Sequence, residues 1–204
     1  SDLLNKELKI FTYAGLIQFY PFRYEDRTEF YKISEVAQQI RSLTDSMPLL
    51  QIKGKIRYFK TFGEKRKKRL VALFFDDTGE IDLVWFRGLQ WINKMLKPNV
   101  DYIIFGKPTL FNNKINIAHP EIELLSESNQ KGGYLQPVYH TTEKLNSRFL
   151  GSKAIANLQE RLIQLAKPEI KETLSEKILK SFSLISKEDA LLNIHFPKDT
   201  DALN

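Results

Sequence analysis

The sequence predicts a β-rich α+β protein, a five-stranded barrel flanked by N- and C-terminal helical segments. Three observations carry that expectation. Residues 48–125 read as strands between tight turns, with period-two alternation in LLQIKGKIRYF and an apolar run on both faces in RLVALFFDD, whereas the residues on either side show helical spacing. A single short helical stretch interrupts the strands, after the third of them. The 204 residues are 42% hydrophobic and 27% charged, which is enough apolar material to close a core.

Residues 1–47 read as an N-terminal helical segment. Thr12 is placed to cap a short helix through Tyr13–Phe19, which Pro21 stops. Ser34 begins a second helical stretch, SEVAQQI. Neither is long enough to stand alone in water, so both are expected to pack on the barrel.

The barrel region opens with LLQIKGKIRYF. Leu50, Ile52, Ile56 and Tyr58 are expected inside, with Gln51, Lys53, Lys55 and Arg57 outside. Gly54 falls on the inner side, where a barrel strand bends or bulges. RLVALFFDD and EIDLVWF then form a hairpin around Asp77-Thr78-Gly79. In the second of these strands Ile81, Leu83 and Trp85 share one face, which turns Phe86 outward if that face is the core. GLQWINKML is helical, with Leu89, Ile92 and Leu96 on one stripe and Pro98 ending it. VDYIIFG and TLFNNKINIAH make the last pair, turning at Asn112-Asn113. The order strand, strand, strand, helix, strand, strand is the connectivity of an OB-fold.

Residues 126–136 read as a linker, ending SESNQKGG in two glycines before the next element. Residues 137–204 form a C-terminal helical segment. Ile155, Leu158, Leu162 and Leu165 make an amphipathic stripe. Pro168 interrupts it and opens a second helix through KPEIKETLSEKILKSF. Ser186 and Asp189 form a capping box for a third, which Pro197 closes.

Catalytic equipment is sparse. With no Cys, disulfides, thiolate metal sites and a Cys nucleophile are excluded. His119, His140 and His195 are scattered, and no catalytic or metal-ligating residue is assigned. None of the nine glycines is spaced for a phosphate-cradling loop of either standard type. Asp76-Asp77 precedes Thr78-Gly79 in a hairpin turn, where Asp is favoured for backbone reasons. No apolar run reaches the roughly 18 residues of a membrane span, and SDLLNKELKIF lacks a signal-peptide pattern. The expectation is a soluble, cytoplasmic chain without membrane partners.

Charge and aromatic content point to binding. The formal net charge is +6, and between Lys53 and Arg69 nine basic residues face one acid, Glu64. Such a stripe suits a polyanion; it also suits a solvated hairpin tip kept soluble by lysines. Phe86, at a strand end, and Trp91, in the short helix, either form a stacking pair or cap the barrel's open end.

PFRYEDRT (21–28), DDTGEIDLVWF (76–86), YIIFGKP (102–108), AHPEIE (118–123), QPVYHTTEKL (136–145) and ALLNIHFP (190–197) occur in an order that resembles the N-terminal wedge region of the RecG ATP-dependent DNA helicase family. The resemblance implies an OB-fold wedge that docks at the branch point of stalled replication forks and Holliday junctions and splits the strands. Its partners would be branched DNA and the helicase motor of the same chain. ATP and Mg would belong to that motor, with no cofactor in this segment, which stops at DALN before any motor motif. Phe86 matches the first stacking aromatic of the family. The second falls at Gln90, one residue before Trp91, and Trp91 is assigned to it. Phosphate contacts are assigned to Lys53, Lys55, Arg57, Arg66, Arg69 and Lys107. Two other readings compete: a stand-alone OB-fold protein binding single-stranded DNA or RNA, and a protein-docking module.

Overall fold

The computed structural model describes residues 2–42, 47–64, 67–126 and 134–198. From the N terminus the chain runs α1 (Asp2–Leu8), α2 (Tyr13–Ile17), β1 (Arg23–Arg27), β2 (Phe30–Tyr31) and α3 (Ile33–Ser42). Then follow β3 (Leu50–Phe62), β4 (Arg69–Phe75), β5 (Glu80–Trp85), α4 (Leu89–Met95), β6 (Asp101–Gly106), β7 (Pro108–Phe111), β8 (Lys114–Ala118) and β9 (Glu121–Leu124). The last elements are β10 (Tyr134–Val138), α5 (Glu143–Ser147), α6 (Ser152–Ala166), α7 (Glu176–Ser181) and α8 (Lys187–His195). They form two compact units, one of residues 29–132 and one of residues 1–28 with 133–204. Residues 1–47, grouped together from the sequence, are thereby shared between the units.

In the first unit β3 pairs with β4, β4 with β5, and β5 runs parallel to β8. β8 pairs with β7, and β6, separated from β7 by Lys107 alone, pairs back onto β3. β6 and β7 together are therefore one kinked strand that closes a five-stranded barrel, as the connectivity predicts. β9 extends β6 and β2 extends β3 as additional strands. The interior is Leu50, Ile52, Ile56, Leu70, Ala72, Phe74, Ile81, Leu83, Trp85, Ile104 and Ile117, all at most 2% exposed.

Local chemistry explains the turns. Asp76 accepts hydrogen bonds from the N–H groups of Thr78, Gly79 and Ile33, so the β4–β5 turn also caps α3. Burial alone raises the Asp76 pKa, but these bonds outweigh it and hold the carboxyl below its ordinary range. Asn112 and Asn113 both have positive φ, at 49° and 60°, the backbone of a type I′ hairpin turn. Gly54 is required by close approach: a Cβ there would lie 2.4 Å from the Phe75 carbonyl oxygen and 2.8 Å from the Phe74 ring.

Two inside–outside assignments on β3 are corrected. Gln51, expected outside, is only 6% exposed, because β2 and β6 flank β3 there with Phe30 and Phe105 opposite it. Tyr58, expected inside, faces outward. The β3–β4 register slips between Ile56 and Tyr58, leaving Arg57 as a bulged residue. The extra residue inverts the alternation, so Phe59 packs on the core and Tyr58 is 57% exposed. The period-two reading of the sequence cannot register such an insertion.

In the second unit β1 and β10 form an antiparallel ladder from Arg23↔Val138 to Arg27↔Tyr134. Tyr134, Leu135 and Gln136, assigned to a linker from the sequence, are thus strand residues; residues 127–133 of that stretch lie outside the described residues. Thr12, Ser175 and Ser186 cap α2, α7 and α8 through their hydroxyls. α6 buries Ile155, Ala156, Gln159 and Ile163, whereas Leu158 and Leu165 of the expected stripe are 37% and 79% exposed. The buried face is fixed by Gln159, whose amide donates to the carbonyls of Leu16 and Phe19. α7 is shorter than predicted: Pro168 sits in a single 3-10 turn, and Glu172 takes the N–H groups of Thr173, Leu174 and Lys187.

Candidate nucleic-acid interface

Trp85 and Phe86 are adjacent and point opposite ways. Trp85 is 2% exposed in the barrel core, and Phe86, at the end of β5, is 55% exposed. The outward direction follows from strand alternation, as expected from the sequence. Its position follows from His119, one of the three scattered histidines to which the sequence assigns no catalytic or metal-ligating role. His119 adopts a positive φ of 49°, its N–H donates to the Val84 carbonyl at 2.8 Å, and its Nε2 accepts the Phe86 N–H at 3.3 Å. The His119 ring also lies 5.7 Å from the Phe86 ring. The only sequence signal for this support was His119-Pro120 following the last barrel strand.

Gly88, with φ +67°, reverses the chain after Phe86 and starts α4. On the first turn of that helix Trp91 is 66% exposed, while Ile92 and Leu96 enter the core. Gln90 is exposed beside Trp91. Two uncovered rings therefore stand on either side of one glycine at the end of β5.

The basic stripe is not one patch. Lys53, Lys55 and Arg57 occupy β3 around its middle, whereas Lys60 and Arg69 sit at the β3–β4 tip; Lys53 and Phe62 are about 30 Å apart along the strand. Lys55 lies 3.9 Å from Asp101, and Arg57 pairs with Glu80 at 3.2 Å while covering the Phe75 ring at 4.7 Å. These pairs are solvent-exposed and so individually weak. At the tip Arg69 and Lys60 instead flank the Phe62 ring, at 5.9 Å and 5.8 Å. Lys107 is exposed at the kink between β6 and β7. Arg66 lies outside the described residues. Among the described residues no cluster of three metal-ligating side chains occurs, and no helix is long and apolar enough to cross a membrane.

Strand order, closure through the β6–β7 kink and the helix between the third and fourth barrel strands define an OB-fold domain, here with exposed rings and cations at one end. The chain matches the RecG wedge domain over residues 1–159 and belongs to that family. It is 26% identical over 198 residues to the ATP-dependent DNA helicase RecG of Borreliella burgdorferi, and 26% over 196 residues to that of Thermotoga maritima. These alignments cover 96% and 95% of this chain but 27% and 23% of the relatives, so the chain spans about a quarter of their length. A solved structure of RecG bound to a three-way DNA junction superposes with a TM-score of 0.77 at 26% identity, covering 98% of this chain and 26% of that one.

Proposed function

We propose that this chain is the branched-DNA-binding wedge module of a RecG-type ATP-dependent helicase that remodels stalled forks and Holliday junctions in the bacterial cytoplasm. The observation that carries the reading is the exposed Phe86 ring, held by His119 at the end of a barrel whose relative in the junction complex superposes over nearly the whole chain. At a branch point two base pairs lose a stacking neighbour. Phe86 would supply a replacement surface on one parting strand, with Trp91 beside it on α4. Lys53, Lys55, Arg57, Arg66, Arg69 and Lys107 would hold phosphates and set orientation without reading sequence. The barrel within residues 48–125 is the DNA-contacting part.

The chemistry that drives strand separation belongs to a motor beyond these residues, which would bind ATP and Mg. This chain carries no phosphate-cradling glycine loop, and by itself it should neither bind nor hydrolyse ATP.

The test is a set of four alanine variants assayed for unfolding and for fork, duplex and linear single-strand affinity. Phe86→Ala and Trp91→Ala should keep their melting temperature and lose fork affinity, by the 1–3 kcal/mol or so that one stacked base contributes. Trp85→Ala should lose roughly 3–5 kcal/mol of folding stability instead. Gln90→Ala controls for the one-residue offset. A wild-type chain that prefers linear single strands to forks would overturn the wedge reading in favour of a stand-alone single-strand binder.

A further inference from the structure

We propose that Phe62, on the β3–β4 hairpin, is a second base-stacking position that receives the single strand leaving Phe86 across Arg69. The inference rests on the wedge reading above and extends its surface to a side chain outside the RecG-like motifs.

The register places the three side chains in one lateral row. Phe62 pairs with Arg69 across β3 and β4, and Leu70 pairs with Trp85 across β4 and β5. Continuing that antiparallel register by one residue sets Phe86 opposite Arg69. Neighbouring strands lie about 4.8 Å apart, so ring, guanidinium and ring span about 10 Å of the outer barrel face. Thr61 and Leu70, one residue inward on each strand, face each other on the opposite side, and Leu70 is fully buried. Phe62 thus belongs to the outer face, where it is 41% exposed.

The bulge at Arg57 makes this row possible. Without it Tyr58, Lys60 and Phe62 would point into the barrel; with it all three point out, and Tyr58 continues the row's aromatic character along β3. The energetic logic of an exposed phenyl ring between two cations favours a flat, anionic-backboned occupant. Lys60 and Arg69 flank the ring, and among the described residues neither forms an ion pair with a carboxylate. Lys67 and Lys68 follow in the connecting turn, with Glu64 the one acid between Lys60 and Arg69. The outward acids of β5, Glu80 and Asp82, pair with Phe75 and Leu73 at the far end of the hairpin. A single nucleic-acid strand meets both demands: bases for the rings and phosphates for the cations. An acidic protein surface would use the cations and leave the ring without a purpose.

The experiment compares Phe62→Leu, which keeps apolar cover over the hairpin but removes the π face, with Phe86→Ala and wild type. Each is titrated against an oligo-dT strand, a fork with one single-stranded arm, and a three-way junction with fully paired arms, with thermal unfolding measured alongside. Phe62→Leu should lose about five-fold or more in affinity for oligo-dT and the single-armed fork, and less than two-fold for the paired junction, at unchanged melting temperature. Phe62→Trp should restore the loss. Unchanged single-strand affinity in Phe62→Leu, or an equal loss on all three ligands, overturns the proposal. Phe86→Ala reads the wedge separately: if it weakens fork and paired junction alike while Phe62→Leu does nothing, the wedge stands and the second stacking position falls.

Discussion

Nε2 of His119 accepts the backbone N–H of Phe86 at 3.3 Å, and the two rings lie 5.7 Å apart. The imidazole therefore fixes both the backbone that ends β5 and the direction of the ring that leaves it. Its own backbone is tied to Val84 on the same strand, so it cannot drift without disturbing β5.

His119→Ala should thus act through Phe86. The variant loses the acceptor and the ring contact, while the left-handed backbone at φ +49° is a strain that wild-type His119 already carries. Fork affinity is expected to fall by less than in Phe86→Ala, and the double variant to be no weaker than Phe86→Ala alone. Two residues acting on one contact are non-additive in this way. Additive losses in a double-mutant cycle would show that His119 contributes independently.

A second outcome concerns Gly54. Two of the three nearest neighbours of an added Cβ belong to the Phe74 ring and one, at 2.4 Å, is the carbonyl oxygen of Phe75, so backbone as well as side chain would have to move. Gly54→Ala should lower stability by about 1–3 kcal/mol, read as a reduced urea midpoint with unchanged slope. A stability equal to wild type would mean that β4 can yield at this point.

How far the sequence reaches is visible in particular residues. Period-two alternation placed Trp85 inside and Phe86 outside because one face of β5 is buried and the strand carries no irregularity. It failed at Tyr58 because an inserted residue leaves no mark on composition. Turn chemistry was legible where side chains act locally: Asp76, Asn112, Asn113 and the caps Thr12 and Ser186. The β1–β10 ladder was not, because its strands are separated by more than a hundred residues and β1 is the polar string RYEDR. On α6 four apolar residues offered a stripe, but a buried polar residue, Gln159, decides which side faces inward.

The two ends of the basic stripe should differ in salt dependence. Each phosphate neutralised contributes about 0.9 to the slope of log affinity against log salt on duplex DNA. Arg69→Ala should reduce the slope for fork binding by about that amount. Arg57→Ala should change it less, because the Arg57 guanidinium already faces Glu80 at 3.2 Å. Equal reductions for both would show that the Glu80 pair opens freely on binding, and no reduction for either would reduce the stripe to a solvated surface.

The last prediction is set by a buried imidazole. His195, fully buried at the end of α8, shares a 2.8 Å hydrogen bond with the Tyr139 hydroxyl through Nδ1 and a 2.7 Å bond with the Ile17 carbonyl through Nε2. The Ile17 carbonyl can only accept, so Nε2 carries the proton, and in neutral His195 Nδ1 accepts from Tyr139. Among the described residues, the groups around it offer no anion: the Tyr20 and Phe196 rings lie within 6.2 Å, and Tyr24 donates its hydroxyl to the Ile194 carbonyl. Burial raises the Tyr139 phenol, which keeps that hydroxyl protonated at neutral pH. Burial likewise holds the His195 pKa below its usual 6.5, against a smaller opposing effect of the Ile17 carbonyl. The unfolded chain therefore binds a proton as pH falls through 6.5 while the folded chain does not, so stability decreases with falling pH until the lowered folded-state value is reached. Above 6.5 this contribution is fully present. Urea unfolding of the wild-type chain should show that decline beginning just below pH 6.5, and the wild-type-minus-His195→Gln difference should isolate it from the carboxylates, which titrate lower. A difference that is flat across pH 5 to 7, as a solvated imidazole would produce, overturns the assignment of a neutral, buried His195.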